Sequence, residues 1–126
     1  LTAKGEKQAK RVAAWLRKRL PGDARVLVSP ARRAQQTAQA LARRFKTNRE
    51  AGNGADPRSI LKAAGWPAGD GTVVVVGHQP ALGQAAALAL TGSPAEWSVE
   101  KGALWWLESR GNGVVVVRAV IAPDMV

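Results

Sequence analysis

An α/β sandwich, with helices on both sides of a mixed and mostly parallel central sheet, is the fold this sequence predicts on three observations. Val73 to Val76 is an unbroken run of four valines in which nothing alternates to water, the pattern of a strand buried on both faces. Arg25 to Val28 is a second short apolar strand, and both strands run into helix-opening segments, Ser29-Pro30 and His78-Gln79-Pro80. The segments follow in the order helix, strand, helix, short helix, strand, helix, strand, strand, which layers helices over a sheet in a three-layer sandwich. With 126 residues, 46% of them hydrophobic, the chain suffices for one domain and hardly for two, so residues 1–126 read as a single unit.

Each element has its own signals. Thr2 can cap a helix that carries Ala9, Val12, Ala13, Leu16 and Leu20 on one side and lysines and arginines on the other, until Pro21 and Gly22 stop it. After the Arg25 strand, Ser29 reads as a hydroxyl N-cap. The helix beyond it repeats Ala34, Thr37, Ala38, Leu41, Ala42 and Phe45 along one stripe, with Gln35, Gln39 and Arg43 facing outward. Gly52, Asn53 and Gly54 mark a loop, and Asp56-Pro57 can cap a short helix through Ile60, Leu61 and Ala64. The Val73 strand leads to a helix over 81–90. Ala103 to Leu107 and Val114 to Val120 then read as an antiparallel pair joined by the turn around Gly111 and Gly113. The two central strands call for a further parallel neighbour, and the sequence contains no segment that fits.

Composition narrows the chemistry. There are no cysteines, so disulfides, thiolate nucleophiles and Cys-ligated zinc are excluded, and a single histidine argues against a His-rich metal site. No metal or other cofactor is expected. Nineteen Lys and Arg against nine Asp and Glu give a formal charge of +10, which favours acidic partners. The bases cluster at Lys4 to Arg19 and Arg32 to Arg49 on two separate helices and not on one face, however, so solvated helix faces account for them better than a nucleic-acid surface does. There is no apolar run of about 18 residues and no signal-peptide pattern at the start, so a cytoplasmic protein without membrane partners is expected.

The chemistry concentrates at the two strand-to-helix corners. Arg33 and His78 hold equivalent places, each just past the carboxyl end of a strand and near the start of a helix, where open α/β sheets bind ligands. Adjacent parallel strands would set them on one rim. A guanidinium fork, an imidazole and two helix N-termini together suit a phosphate group. The competing reading of a lone histidine is a corner residue held by backbone, and of Arg32 and Arg33 a pair of solvated cations.

These residues also carry a resemblance. Leu1-Thr2 with Gly5 and Gln8-Ala9, then Ser29-Pro30-Ala31-Arg32-Arg33-Ala34-Gln35-Gln36-Thr37, then Gly77-His78-Gln79-Pro80 resemble, in order and spacing, successive blocks of the histidine phosphatase superfamily. The short form and the segment Lys101-Gly102-Ala103 are similar to its SixA-type phosphohistidine phosphatases. The resemblance implies a phosphoglycerate mutase-like fold and a pocket of two arginines and two histidines, one histidine taking the phosphoryl group. It matches Arg33 and His78 to one arginine and to the histidine that stabilises the transferring group, with Gln79 beside them as a further phosphate contact. The nucleophile, in an Arg-His-Gly or Arg-His-Ala motif upstream of the Leu-Thr block, has no match here. The chain is therefore expected to be an N-terminally incomplete domain that binds phosphate and turns over little, unless His78 itself attacks.

The expected substrate is a phosphorylated protein carrying phosphohistidine. Its imidazole can depart protonated, whereas an ester expels an alkoxide and needs a placed acid. Candidate acids are Glu50 and Asp56, and Asp56 ahead of Pro57 has the competing role of helix cap. The alternatives are a phosphatase acting on a small phosphate ester and a non-catalytic basic module that binds phosphate or nucleic acid.

Overall fold

A computed structural model describes residues 2–42, 44–52, 54–69 and 71–126. Leu1 of the first block, the outward position of Arg43 and the loop residue Asn53 lie outside the described residues. Three strands, β1 (Arg25–Val28), β2 (Lys46–Thr47) and β3 (Val73–Val76), form an all-parallel sheet in the order β2-β1-β3. Two more, β4 (Leu104–Ser109) and β5 (Val115–Ile121), form a separate antiparallel pair. The helices are α1 (Ala3–Arg17), α2 (Arg32–Leu41), α3 (Pro57–Ala63) and α4 (Ala81–Thr91).

The period-2 alternation of strand side chains builds the layers. Val26, Val28, Val74 and Val76 pack with Ala34 and Ala38 of α2, together with Leu41 and Phe45. The intervening Val75 faces the other way, onto Ile60 of α3 and Ala81 and Ala85 of α4. The expected three-layer arrangement is thus produced by successive valines pointing to opposite sides. Small residues on α2 and α4 let the helices sit close to the strands. Arg17 of α1 donates to the Ala40 carbonyl and ties α1 to α2.

Several boundaries follow the sequence signals. Thr2 Oγ1 accepts the Gly5 N–H at 3.0 Å and starts α1. Asp56 accepts the Arg58 N–H at 2.7 Å and starts α3. Gly92, at φ 83°, ends α4 in the left-handed conformation that glycine adopts without strain.

Others differ. Helix α2 begins at Arg32, two residues later than the Ser29-Pro30 signal implies, and its N-cap Ala31 makes no side-chain cap. Pro80 is the N-cap of α4 and not its first helical residue. Strand β2, only two residues long, gave no periodic signal. The expectation that Val73 to Val76 is buried on both faces is not met, since all four are half-buried. The reason is topological: among the described residues β3 pairs only with β1 and lies at the edge of its sheet.

The hairpin is anchored at both of its faces. Trp106 meets Trp15 of α1 edge-on at 6.5 Å, while Trp105 packs on Trp97 at 5.6 Å. Neighbouring strand residues point to opposite faces, so the two tryptophans grip two different parts of the molecule.

Candidate functional site

The register of the parallel sheet creates the site. Val28 of β1 lies opposite Val76 of β3, so both strands end level, and the Ser29 N–H extends the ladder to the Val76 carbonyl at 2.9 Å. On the other side the Asn48 N–H reaches the Val28 carbonyl at 2.8 Å. The three carboxyl ends therefore form one rim, from which the chain turns into α2, a 3-10 turn over Arg49–Ala51, and α4.

On this rim Arg33 and His78 meet, as their equivalent places in the sequence predict. Arg33 Nη2 lies 3.3 Å from His78 Nδ1, across 45 residues of chain. The imidazole is 6% exposed, whereas Arg33 is exposed. His78 Nε2 is 2.7 Å from the Oγ of Ser29, which is fully buried. Burial first, and the Arg33 charge second, hold the His78 pKa below its ordinary value, so the ring is neutral at pH 7. A guanidinium can only donate, so Nδ1 is its acceptor and Nε2 carries the proton toward Ser29.

Ser29 is the residue that sequence reasoning underestimated. Its Oγ does accept a local N–H, that of Ala31 at 3.2 Å, but its main partner is the imidazole and not the helix. The available signal was its position: Ser29 directly follows β1, and strands paired in register bring such residues to one rim. Gln35 also departs from expectation. It turns inward, donating to the Ser29 carbonyl at 2.9 Å and to Thr47 Oγ1 at 3.1 Å, and so clamps the ends of β1 and β2 together.

The remaining candidates divide. Gln79 is next to His78, but its amide is engaged elsewhere: Oε1 accepts the Gly83 N–H at 2.8 Å and Nε2 donates to the Trp97 carbonyl at 3.1 Å. It braces the start of α4 against the 97 loop. Asp56 acts as the α3 cap. Glu50 lies exposed on the 3-10 turn, whose Ala51 carbonyl passes close to Gly77. A shallow depression of about 560 Å³, lined by Ala31, Arg32, Arg33 and Gln36, opens on the first turn of α2. Among the described residues no group of three or more His, Asp or Glu is placed to hold a metal ion, and no helix is long and apolar enough to cross a membrane.

A donor fork and a buried imidazole between the starts of two helices on a parallel α/β sheet are groups able to hold a compact oxyanion. The family model of the histidine phosphatase superfamily (branch 1) matches residues 1–54. A solved structure of the protein histidine phosphatase SixA complexed with tungstate superposes with a TM-score of 0.80 at 23% identity, covering 98% of this chain and 84% of that one. A candidate phosphohistidine phosphatase SixA from Nakamurella multipartitia gives 0.74 at 25% identity, with coverage of 98% and 84%. A candidate alpha-ribazole-5'-P phosphatase from Escherichia coli gives 0.68 at 20% identity, with coverage of 99% and 85%. A search of curated proteins yields no match. The likeness to the histidine phosphatase superfamily read in the sequence therefore holds in both, over the first 54 residues as sequence and over nearly the whole chain as a SixA-type, phosphoglycerate mutase-like fold.

Proposed function

We propose that this chain forms the phosphate pocket of a phosphohistidine phosphatase, with Arg33 and His78 gripping the phosphoryl group. The observation that carries the reading is the 3.3 Å approach of Arg33 Nη2 to His78 Nδ1 at the level ends of β1 and β3. Two phosphoryl oxygens can lie on the guanidinium fork and a third on the imidazole, with the N-terminal N–H groups of α2 and α4 adding partial positive charge. These groups would stabilise charge on the phosphoryl oxygens as the bond to the leaving imidazole breaks.

The reading gives the His78 ring to holding the phosphoryl group and assigns the attack to a histidine other than His78. Placement of the SixA structures among the fold's relatives, and the absence of an acid motif at Glu50 or Asp56, support phosphohistidine over an ester. An open rim also suits a phosphorylated protein side chain.

Isothermal titration with tungstate tests the pocket: micromolar to millimolar binding that depends on Arg33 is expected. Phosphatase assays on the full gene product test the class. Turnover of a phosphohistidine protein through an acid-labile phosphoenzyme is expected, and activity on sugar or nucleotide phosphates alone would reassign the substrate to small esters.

A further inference from the structure

The contact between Ser29 and His78 has properties that a packing role does not require. A serine hydroxyl offers one donor and two acceptor sites. One acceptor site of Ser29 Oγ takes the Ala31 N–H at 3.2 Å, which leaves a donor and an acceptor to serve Nε2 at 2.7 Å. Ser29 is 0% exposed, so water does not compete at this position. In the arrangement seen, Nδ1 accepts from Arg33 and Nε2–H donates to Ser29.

That tautomer is the wrong one for an anion. Phosphoryl oxygens only accept, so an Nδ1 lone pair facing them repels. To join the pocket, His78 must present Nδ1–H. It can gain a second proton and become an imidazolium, which burial and the neighbouring guanidinium oppose. Alternatively it can lose the Nε2 proton and take one at Nδ1, with no change in net charge. The second route leaves a buried Nε2 lone pair in need of a donor, and the Ser29 hydroxyl can supply it by rotating about its Cβ–Oγ bond.

We propose, resting on the phosphate reading above, that Ser29 is a positioning residue that lets His78 exchange tautomers when an anion arrives. In the free state Oγ accepts from Nε2–H and Arg33 donates to Nδ1. In the bound state Arg33 turns its donors to the anion, Nδ1–H donates to a phosphoryl oxygen, and Ser29 O–H donates to Nε2. One proton arrives at Nδ1 from water on the exposed Arg33 side and one leaves Nε2 to water when the Ser29 contact opens, so the net charge of the ring is conserved.

His78 is the sole histidine, so its ring nitrogens give an unambiguous long-range proton–nitrogen correlation spectrum in the labelled chain. The expected result is an Nε2–H pattern in the free protein and an Nδ1–H pattern at saturating tungstate. Ser29→Ala removes one hydrogen bond to Nε2 from the free and the bound state alike, so tungstate affinity should change by less than about fivefold, while the free protein, with no acceptor left for Nε2–H, should return a mixture of tautomers. Tungstate binding that leaves Nε2–H in place, or that protonates both nitrogens, would overturn the exchange while sparing the phosphate pocket. No tungstate binding by the folded wild type would overturn both. Should Ser29→Ala fail to fold, the wild-type spectra with and without tungstate decide the matter alone.

Discussion

Replacing Arg33 with alanine probes the pocket with little effect on the fold. The residue is exposed, and its guanidinium reaches His78 at 3.3 Å, so the free variant should keep its stability within about 0.5 kcal/mol. Anion binding should suffer much more. Hydrogen bonds to a charged partner are worth about 1.5–3 kcal/mol, so tungstate affinity should fall about 10- to 150-fold. The loss is readable as a thermal shift. At a tungstate concentration of about 100 times the wild-type Kd, binding stabilises the folded state by about 2.7 kcal/mol, roughly 10 °C for a domain of this size. At the same concentration the variant should gain only about 0.3–1.4 kcal/mol. Arg33→Lys should recover part of the difference, since it restores charge without the planar fork. A variant whose shift equals that of wild type would refute the claim that Arg33 grips the anion.

Three further outcomes follow from particular contacts. His78 prefers its neutral form in the folded state, so its contribution to stability is complete above its unfolded pKa of about 6.5 and is lost as pH falls through the lowered folded value. Urea melts between pH 7.5 and 5 should therefore show wild type losing stability faster than His78→Gln, and equal slopes would mean that the ring is not held neutral. At Gly83 an added Cβ would stand 1.6 Å from the Trp97 carbonyl oxygen, so Gly83→Ala must push the 97 loop off α4 and break the Gln79 brace. A loss of about 1–3 kcal/mol is expected even though alanine is the better helix former, and a raised Tm would contradict this close approach. Val28 is fully buried between the sheet and α2, and Val28→Ala should cost about 1–3 kcal/mol in the denaturation midpoint; a change below about 0.5 kcal/mol would mean that the core is not there.

Much of the site's location was legible because it depends on local signals. Apolar runs followed by proline or a capping residue mark a strand that ends and a helix that starts, and the residue between them is necessarily at a corner. His78 was found in this way, while Arg33 was chosen over Arg32 by its register in the Ser-Pro-x-x-Arg-Ala block. Gln79 and Gln35 were harder, because an amide donates and accepts equally well in a pocket, a clamp or water. Only the neighbours decide. For Gln79 they are the Gly83 N–H and the Trp97 carbonyl, and for Gln35 the Ser29 carbonyl and Thr47.

By itself, the order of residues determined which elements form and roughly where they stop, since periodicity, caps and glycine punctuation act over a few neighbours. It also determined the chemical repertoire, one imidazole and no thiol. Tertiary structure decided what pairing across long separations controls. It set β3 at a sheet edge and left its valines half-buried. It brought Ser29 and His78, 49 residues apart, within 2.7 Å. The physical reason is the ladder register: a local pattern can end a strand, but only its hydrogen-bonded neighbour determines which two ends are level.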